Sequence, residues 1–158
     1  MKNILLDAVD TVDNPEVATK ISLWNTDVIK SYADEYNIVT HLKEQFDLLY
    51  ALTDGKVEGL TQKGTIETGV HQGKEVIVCY VRSAQTQNPE HKIKFLELRQ
   101  GLFDLDTVWV HSDLVDLSDY ELQEGFLQLV GLTEMKQFLA DLLGSVKLNS
   151  YIRRLSSL

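Results

Sequence analysis

Cysteine, proline and glycine are scarce in this 158-residue chain, which contains one, two and nine of them. The single cysteine, Cys79, excludes an internal disulfide, and its place in the apolar run VIVCYV predicts a buried side chain rather than a reactive thiol. The few prolines and glycines leave little room for a linker or a low-complexity segment. With 44% hydrophobic and 25% charged residues, the composition is globular. We predict one domain over residues 1–158 that folds without disulfides or metals.

Long apolar runs are also missing. No segment approaches the roughly 20 apolar residues of a membrane span. The N-terminal stretch MKNILLDAVDTVDNPE is interrupted by aspartates, so it makes a poor signal peptide. We therefore expect a cytoplasmic protein that does not bind a membrane.

Lysine and arginine are absent between Arg99 and Lys136, whereas eight of the 24 acidic residues lie in that interval. The remainder of the chain has 16 acids against 15 bases, so nearly all of the net charge of −9 comes from this one segment. Because phosphate groups are repelled by such a surface, we expect no direct nucleic-acid binding through it.

Helical signals occur before and after a group of strand signals. Asn14 and Pro15 suit the start of a first helix, and a second helix has an apolar face wide enough to contact neighbours on two sides. Ser118 and Glu121 have the spacing of a capping box, which predicts a helix start. The region after Thr133 shows the most regular helical pattern in the chain.

The central region shows strand patterns joined by short turns. TIETGV alternates, KEVIVCYVR is apolar on both faces, KIKFLELR changes phase as in a β-bulge, and LFDLDTVWVH alternates again. Short connections favour an antiparallel meander. We predict an α+β domain with an antiparallel sheet of about four strands (65–110), packed by N-terminal helices (15–36 and 40–54) and C-terminal helices (119–130 and 133–147).

The acidic stretch 104–125 is the candidate partner-binding surface. It does not fit a calcium loop of the EF-hand type, since no glycine falls at the sixth position from Asp104 or Asp113. We predict no metal and no cofactor. The predicted partner-binding residues are the seven carboxylates of the stretch: Asp104, Asp106, Asp113, Asp116, Asp119, Glu121 and Glu124.

Catalytic motifs are absent from the sequence. His111, Ser112 and Asp113 are the residue types of a hydrolytic triad, but neighbouring side chains on a strand diverge, so we assign no catalytic residue. The four histidines lack the spacing of a zinc motif. If the protein is an enzyme, the candidates are His111 with Asp113, or His71 with Glu75 around the predicted hairpin.

These observations favour a non-enzymatic acidic interaction module: an assembly factor, a chaperone-like adaptor, or an inhibitor, including one that mimics nucleic acid. Its partner would be another protein with a basic surface. The alternatives are a small enzyme with a dispersed site around His111 and Asp113, and a structural subunit of an oligomeric or viral assembly. Self-association into a homo-oligomer is a further option, and the acidic segment could equally be a plain solvated surface.

Overall fold

The computed structural model describes residues 23, 25, 27 and 37–158, except 87 and 105. Apart from residues 23, 25 and 27, the predicted helix 15–36 lies outside the described residues, so this helix stays a prediction. The prediction of a single domain over the whole chain is likewise untested. The described part confirms the α+β class. Its elements are α1 (Ile38–Leu52), β1 (Val57–Thr65), β2 (Glu75–Ser83), a 3-10 turn (Pro89–His91), β3 (Lys92–Gln100), β4 (Thr107–His111), β5 (Leu127–Val130), α2 (Leu132–Leu143) and α3 (Val146–Ser156).

The sheet is an antiparallel meander with the strand order β1-β2-β3-β4-β5, which confirms the predicted topology. It has five strands rather than about four. The predicted strand TIETGV is wrong, because most of it forms the turn between β1 and β2. Within that turn Gly73 donates to the carbonyl of Ile66 at 2.8 Å, and Gly69 and Gly73 have positive φ angles, which glycine adopts at no steric cost. No helix among the described residues is long and apolar enough to cross a membrane.

Helix α1 matches the predicted helix 40–54 to within about two residues. It begins after Asn37, whose side-chain oxygen accepts from the amides of Val39 at 2.9 Å and Thr40 at 3.2 Å. Its buried face packs on β1 at a glycine. A Cβ built at Gly59 would lie 2.1 Å from the ring of Phe46, so only glycine allows this approach.

The predicted bulge in β3 is confirmed. Cys79 pairs with Leu96 while the next residue of β2, Tyr80, pairs with Lys94, which leaves Phe95 as the extra residue. Because of the bulge, Phe95 and Leu96 are both buried on the helix-covered face of the sheet. Cys79 lies beside them with no exposed surface, as predicted, and its burial raises the pKa of the thiol to about 12.

The predicted helix 133–147 is interrupted at Gly144: α2 covers most of it, and α3 begins at Val146 and continues to Ser156, past the predicted end. Helix α2 ends at Gly144, and Ser145 caps α3 by accepting from the amide of Leu148 at 3.3 Å. The side-chain amide of Asn149 donates to the carbonyl of Leu143 at 2.7 Å, which satisfies an end group of α2. Both helices cover the sheet through apolar residues, and those buried are Met135, Phe138, Leu139, Leu142, Leu148 and Leu155.

The predicted helix 119–130 is wrong. Asp116 accepts from the amide of Ser118 at 2.9 Å, so this part of the chain forms a turn instead of a capping box. Gln123 and Phe126 exchange two backbone hydrogen bonds of 2.9 Å around Glu124 and Gly125, which both have positive φ. This hairpin turn directs the chain back along β4, where residues 127–130 form the edge strand β5.

Candidate protein-binding groove

The structure divides the seven predicted carboxylates between the two ends of β4. Asp104 and Asp106 lie in the loop before β4, beside Phe103, whose side chain is 94% exposed. The other five lie in the connection after β4, and the five-residue strand separates the two groups by about 13 Å or more. The second group consists of Asp113, Asp116, Asp119, Glu121 and Glu124.

All seven carboxylates are exposed. Within the described part of the chain, none of them forms an ion pair with a lysine or an arginine. Their single ion-pair contact is between Asp113 and His111, at 3.0 Å. No three acidic, histidine or cysteine side chains among the described residues are grouped so that they could hold a metal ion. Among the described residues, the carboxylates of this segment are therefore not paired with lysine or arginine side chains.

One of these carboxylates, Asp116, lines a groove that also runs along β5 and α2. We call it the acidic groove, and its volume is about 680 Å³. Leu117, Leu129 and Phe138 are buried beneath it, while Asp116, Glu134 and Asp141 are exposed along its sides. The described residues that line it are Val115, Asp116, Leu117, Tyr120, Leu127, Gln128, Leu129, Thr133, Glu134, Gln137, Phe138 and Asp141. None of these is a lysine or an arginine.

Local hydrogen bonds hold each of the three carboxylates. The hydroxyl and the backbone amide of Ser118 lower the pKa of Asp116, so this carboxylate stays ionised at neutral pH. Glu134 accepts from the amide of Val130 at 3.2 Å, and Asp141 accepts from the side chain of Gln137 at 2.9 Å. The groove is therefore an anionic surface with an apolar floor.

The sequence analysis identified only one of these three carboxylates as a site residue. Glu134 was counted within the acidic segment but not assigned to the site, and Asp141 was missed. The two lie seven residues apart on α2, which places them on the same helix face two turns apart. This spacing could have predicted that Glu134 and Asp141 share a helix face. It could not have predicted that Asp116 lies along the same groove.

The contiguous His111, Ser112 and Asp113 do not form a triad. The Ser112 hydroxyl points into the core and donates to the carbonyl of Phe95 at 2.6 Å. His111 contacts Asp113 through Nε2 and the carbonyl of Gly125 through Nδ1, both at 3.0 Å. Both ring nitrogens of His111 therefore face oxygen acceptors, while the Ser112 hydroxyl is hydrogen-bonded elsewhere.

The second histidine candidate, His71, lies in the turn between β1 and β2 and is only 1% exposed. Its ring packs edge-on against Trp109 at 4.9 Å and lies 5.9 Å from Phe126. Neither ring nitrogen has a hydrogen-bond partner among the described residues, so the proposed pairing with Glu75 is not made. The structure therefore pairs His111 with Asp113 but does not pair His71 with Glu75, and the alternative of a small enzyme around His111 and Asp113 stays a prediction.

The described residues define the class of fold as an α+β domain with a five-stranded antiparallel meander and helices packed against it. Comparisons with protein-family models, with curated proteins and with solved structures found no match to this chain. The function is therefore inferred from the chemistry of the acidic groove.

Proposed function

We propose that this protein is a non-enzymatic binding module that holds a basic segment of another protein in the acidic groove. The single observation that carries the proposal is the composition of the groove: an apolar floor with three exposed carboxylates and no lysine or arginine among the described lining residues. A partner that supplies lysine or arginine side chains would complete the charge balance, and its apolar side chains would cover the floor.

The two parts of the groove contribute differently to binding. The carboxylates Asp116, Glu134 and Asp141 speed the encounter with a basic partner and disfavour acidic ones, and their effect falls as salt rises. The floor beneath them supplies the apolar contact that typically forms the centre of an interface. The remaining predicted site residues after β4 do not line the groove, and they contribute only to the longer-range negative field of the segment.

Affinity capture from the native host tests this proposal. The groove variant replaces Asp116 and Asp141 by asparagine and Glu134 by glutamine, which removes three charges but keeps an oxygen acceptor for each of the hydrogen bonds described above. A matched control neutralises three exposed carboxylates elsewhere in the described part of the chain, by Glu44→Gln, Asp47→Asn and Glu90→Gln.

The expected result is a basic protein that is captured by the wild type and by the control but lost with the groove variant, with weaker capture at moderate salt than at low salt. Mass spectrometry identifies the captured proteins, and circular dichroism checks that both variants are folded. Equal capture by all three proteins, or loss with both variants, would contradict the proposal.

A further inference from the structure

The hydrogen-bonding phase of β5 shows which of its backbone groups face away from the sheet. Gly131 donates to the carbonyl of Asp106 at 2.8 Å, so this pair is joined by a hydrogen bond. Because bonded and non-bonded pairs alternate in an antiparallel ladder, Leu129 and Leu127 also point their backbone groups toward β4. The backbone groups of Gln128, between them, therefore point outward.

Two further contacts agree with this phase. The amide of Val130, two residues after Gln128, donates outward to Glu134 at 3.2 Å. Phe126, two residues before Gln128, exchanges its backbone hydrogen bonds with Gln123 on the same outer side. Among the described residues, the N–H and the C=O of Gln128 have no partner. They form an open donor and acceptor at the edge of the sheet.

This open edge lies in the acidic groove, since Gln128 and both of its neighbours are among the lining residues. We infer that the partner segment binds as an extended strand, which adds a sixth strand to the sheet by exchanging two backbone hydrogen bonds with Gln128. This inference rests on the proposed function.

The side chains around the edge specify the chemistry of that segment. Side chains of an extended chain alternate between its two sides. One set would cover the buried floor formed by Leu117, Leu129 and Phe138, and the other would reach Asp116 or Glu134. We therefore expect a segment in which lysine or arginine alternates with apolar residues.

A second copy of this chain is a poor occupant of the edge. Pairing β5 with β5 of another molecule would bring two sets of the same carboxylates, Asp116, Glu134 and Asp141, close together. The groove lining supplies no cation to neutralise them. Like charges at such an interface oppose association, so charge complementarity favours a basic partner.

Peptide binding measured by fluorescence anisotropy tests strand addition. The probe is a short labelled peptide of alternating lysine and valine. Its matched control carries N-methyl groups on the backbone amides along one edge of the extended peptide. N-methylation keeps the charge of the peptide but removes the backbone donors on that edge. Two protein variants complete the set. Gln128→Pro removes the outward N–H at an edge position where proline is tolerated, and Gln128→Ala retains it.

Gln128→Ala, which keeps the outward N–H, is the reference for Gln128→Pro, and the wild type with the unmodified probe is the reference for the N-methylated peptide. Gln128→Pro with the probe, and the wild type with the N-methylated peptide, should each bind about tenfold more weakly, as expected for the loss of backbone hydrogen bonds. The N-methylated peptide gives this result without any change to the protein, so it does not depend on the folding of the proline variant.

The possible failures are distinguishable. If the groove variant loses the probe but N-methylation has no effect, the basic segment binds by charge alone, and strand addition is overturned while the proposed function stands. If the groove variant binds the probe as well as the wild type does, the proposed function itself fails. A concentration-dependent dimer in sedimentation, abolished by Gln128→Pro, would overturn the inference in favour of self-pairing.

Discussion

Replacing His71 by phenylalanine tests whether the buried, unpaired ring nitrogens of this histidine destabilise the fold. His71 lies in the turn between β1 and β2. The histidine is buried and packs against Trp109 and Phe126, and neither of its ring nitrogens has a hydrogen-bond partner among the described residues. A phenylalanine ring keeps the aromatic contacts and removes the unsatisfied polar atoms. We therefore expect His71→Phe to be more stable than the wild type.

Near pH 7.5 the substitution should raise the free energy of unfolding by about 1–3 kcal/mol. This is the cost of one unsatisfied buried polar group, because the strain of fitting the larger phenylalanine ring offsets the rest of the gain. A pH dependence adds to it. Burial lowers the pKa of His71, and the nearby charges of Lys74 and Arg99 lower it further. In the unfolded chain the pKa is about 6.5. Below that pH, His71 binds a proton in the unfolded state but stays neutral in the folded state. The free energy of unfolding of the wild type therefore falls as the pH falls.

Urea denaturation of both proteins near pH 7.5 and near pH 5.5 provides the measurement. The other histidines are the same in both proteins, so the difference between the two free energies of unfolding isolates His71. This difference should widen at the lower pH by up to about 1.4 kcal/mol, a limit set by the one pH unit between pH 5.5 and the unfolded-state pKa of about 6.5. A difference that is independent of pH, or a variant less stable than the wild type at both pH values, would show that burial of His71 does not destabilise the protein.

Three further predictions concern the core. Leu139→Ala should lower the free energy of unfolding by about 2–5 kcal/mol, because this side chain is only 1% exposed. The control is Val146→Ala, at a position that is 83% exposed, which should change the free energy of unfolding by less than about 0.5 kcal/mol. Thermal melts compare the two variants. Gly59→Ala should cost about 1–3 kcal/mol or more in a urea titration, since the added methyl group overlaps the ring of Phe46. Cys79 should react with a thiol reagent only after denaturant is added, because the folded thiol is inaccessible and its pKa is about 12; rapid labelling of the native protein would contradict its burial.

Local patterns predicted those elements whose determinants are local. The helix after Asn37 has a capping residue and regularly spaced apolar positions, and the phase change at Phe95 and Leu96 marked a bulge that the pairing of β2 with β3 confirms. The buried cysteine followed from its apolar neighbours. In each case the residues that determine the structure lie within a few positions of one another.

Residues 119–130 were mispredicted because their apolar positions fit two periods. Leu122, Phe126 and Leu129 have helical spacing, whereas Leu127 and Leu129 alternate as in a strand. Pairing with β4 decides between them, and that pairing depends on the tight turn at Glu124 and Gly125. A non-local contact thus overrides a local pattern.

The acidic groove was only partly predictable for the same reason. The concentration of acidic residues was evident from the sequence, but the structure separates Asp104 and Asp106 from the later carboxylates. It places Asp116 instead along the same groove as Glu134 and Asp141, which belong to α2. The groove forms because β5 lies beside α2. The local sequence pattern did not reveal β5, since it predicted a helix in that region.

Chemical-shift mapping on the isotope-labelled protein locates the binding surface of the basic segment residue by residue. On titration with the alternating lysine–valine peptide, we expect the largest amide shifts at Gln128 and along residues 115–120 and 133–141, with little change in the loop 101–106 or in α1. Shifts concentrated in that loop or in α1, or no shifts at all at low salt, would contradict binding in the acidic groove.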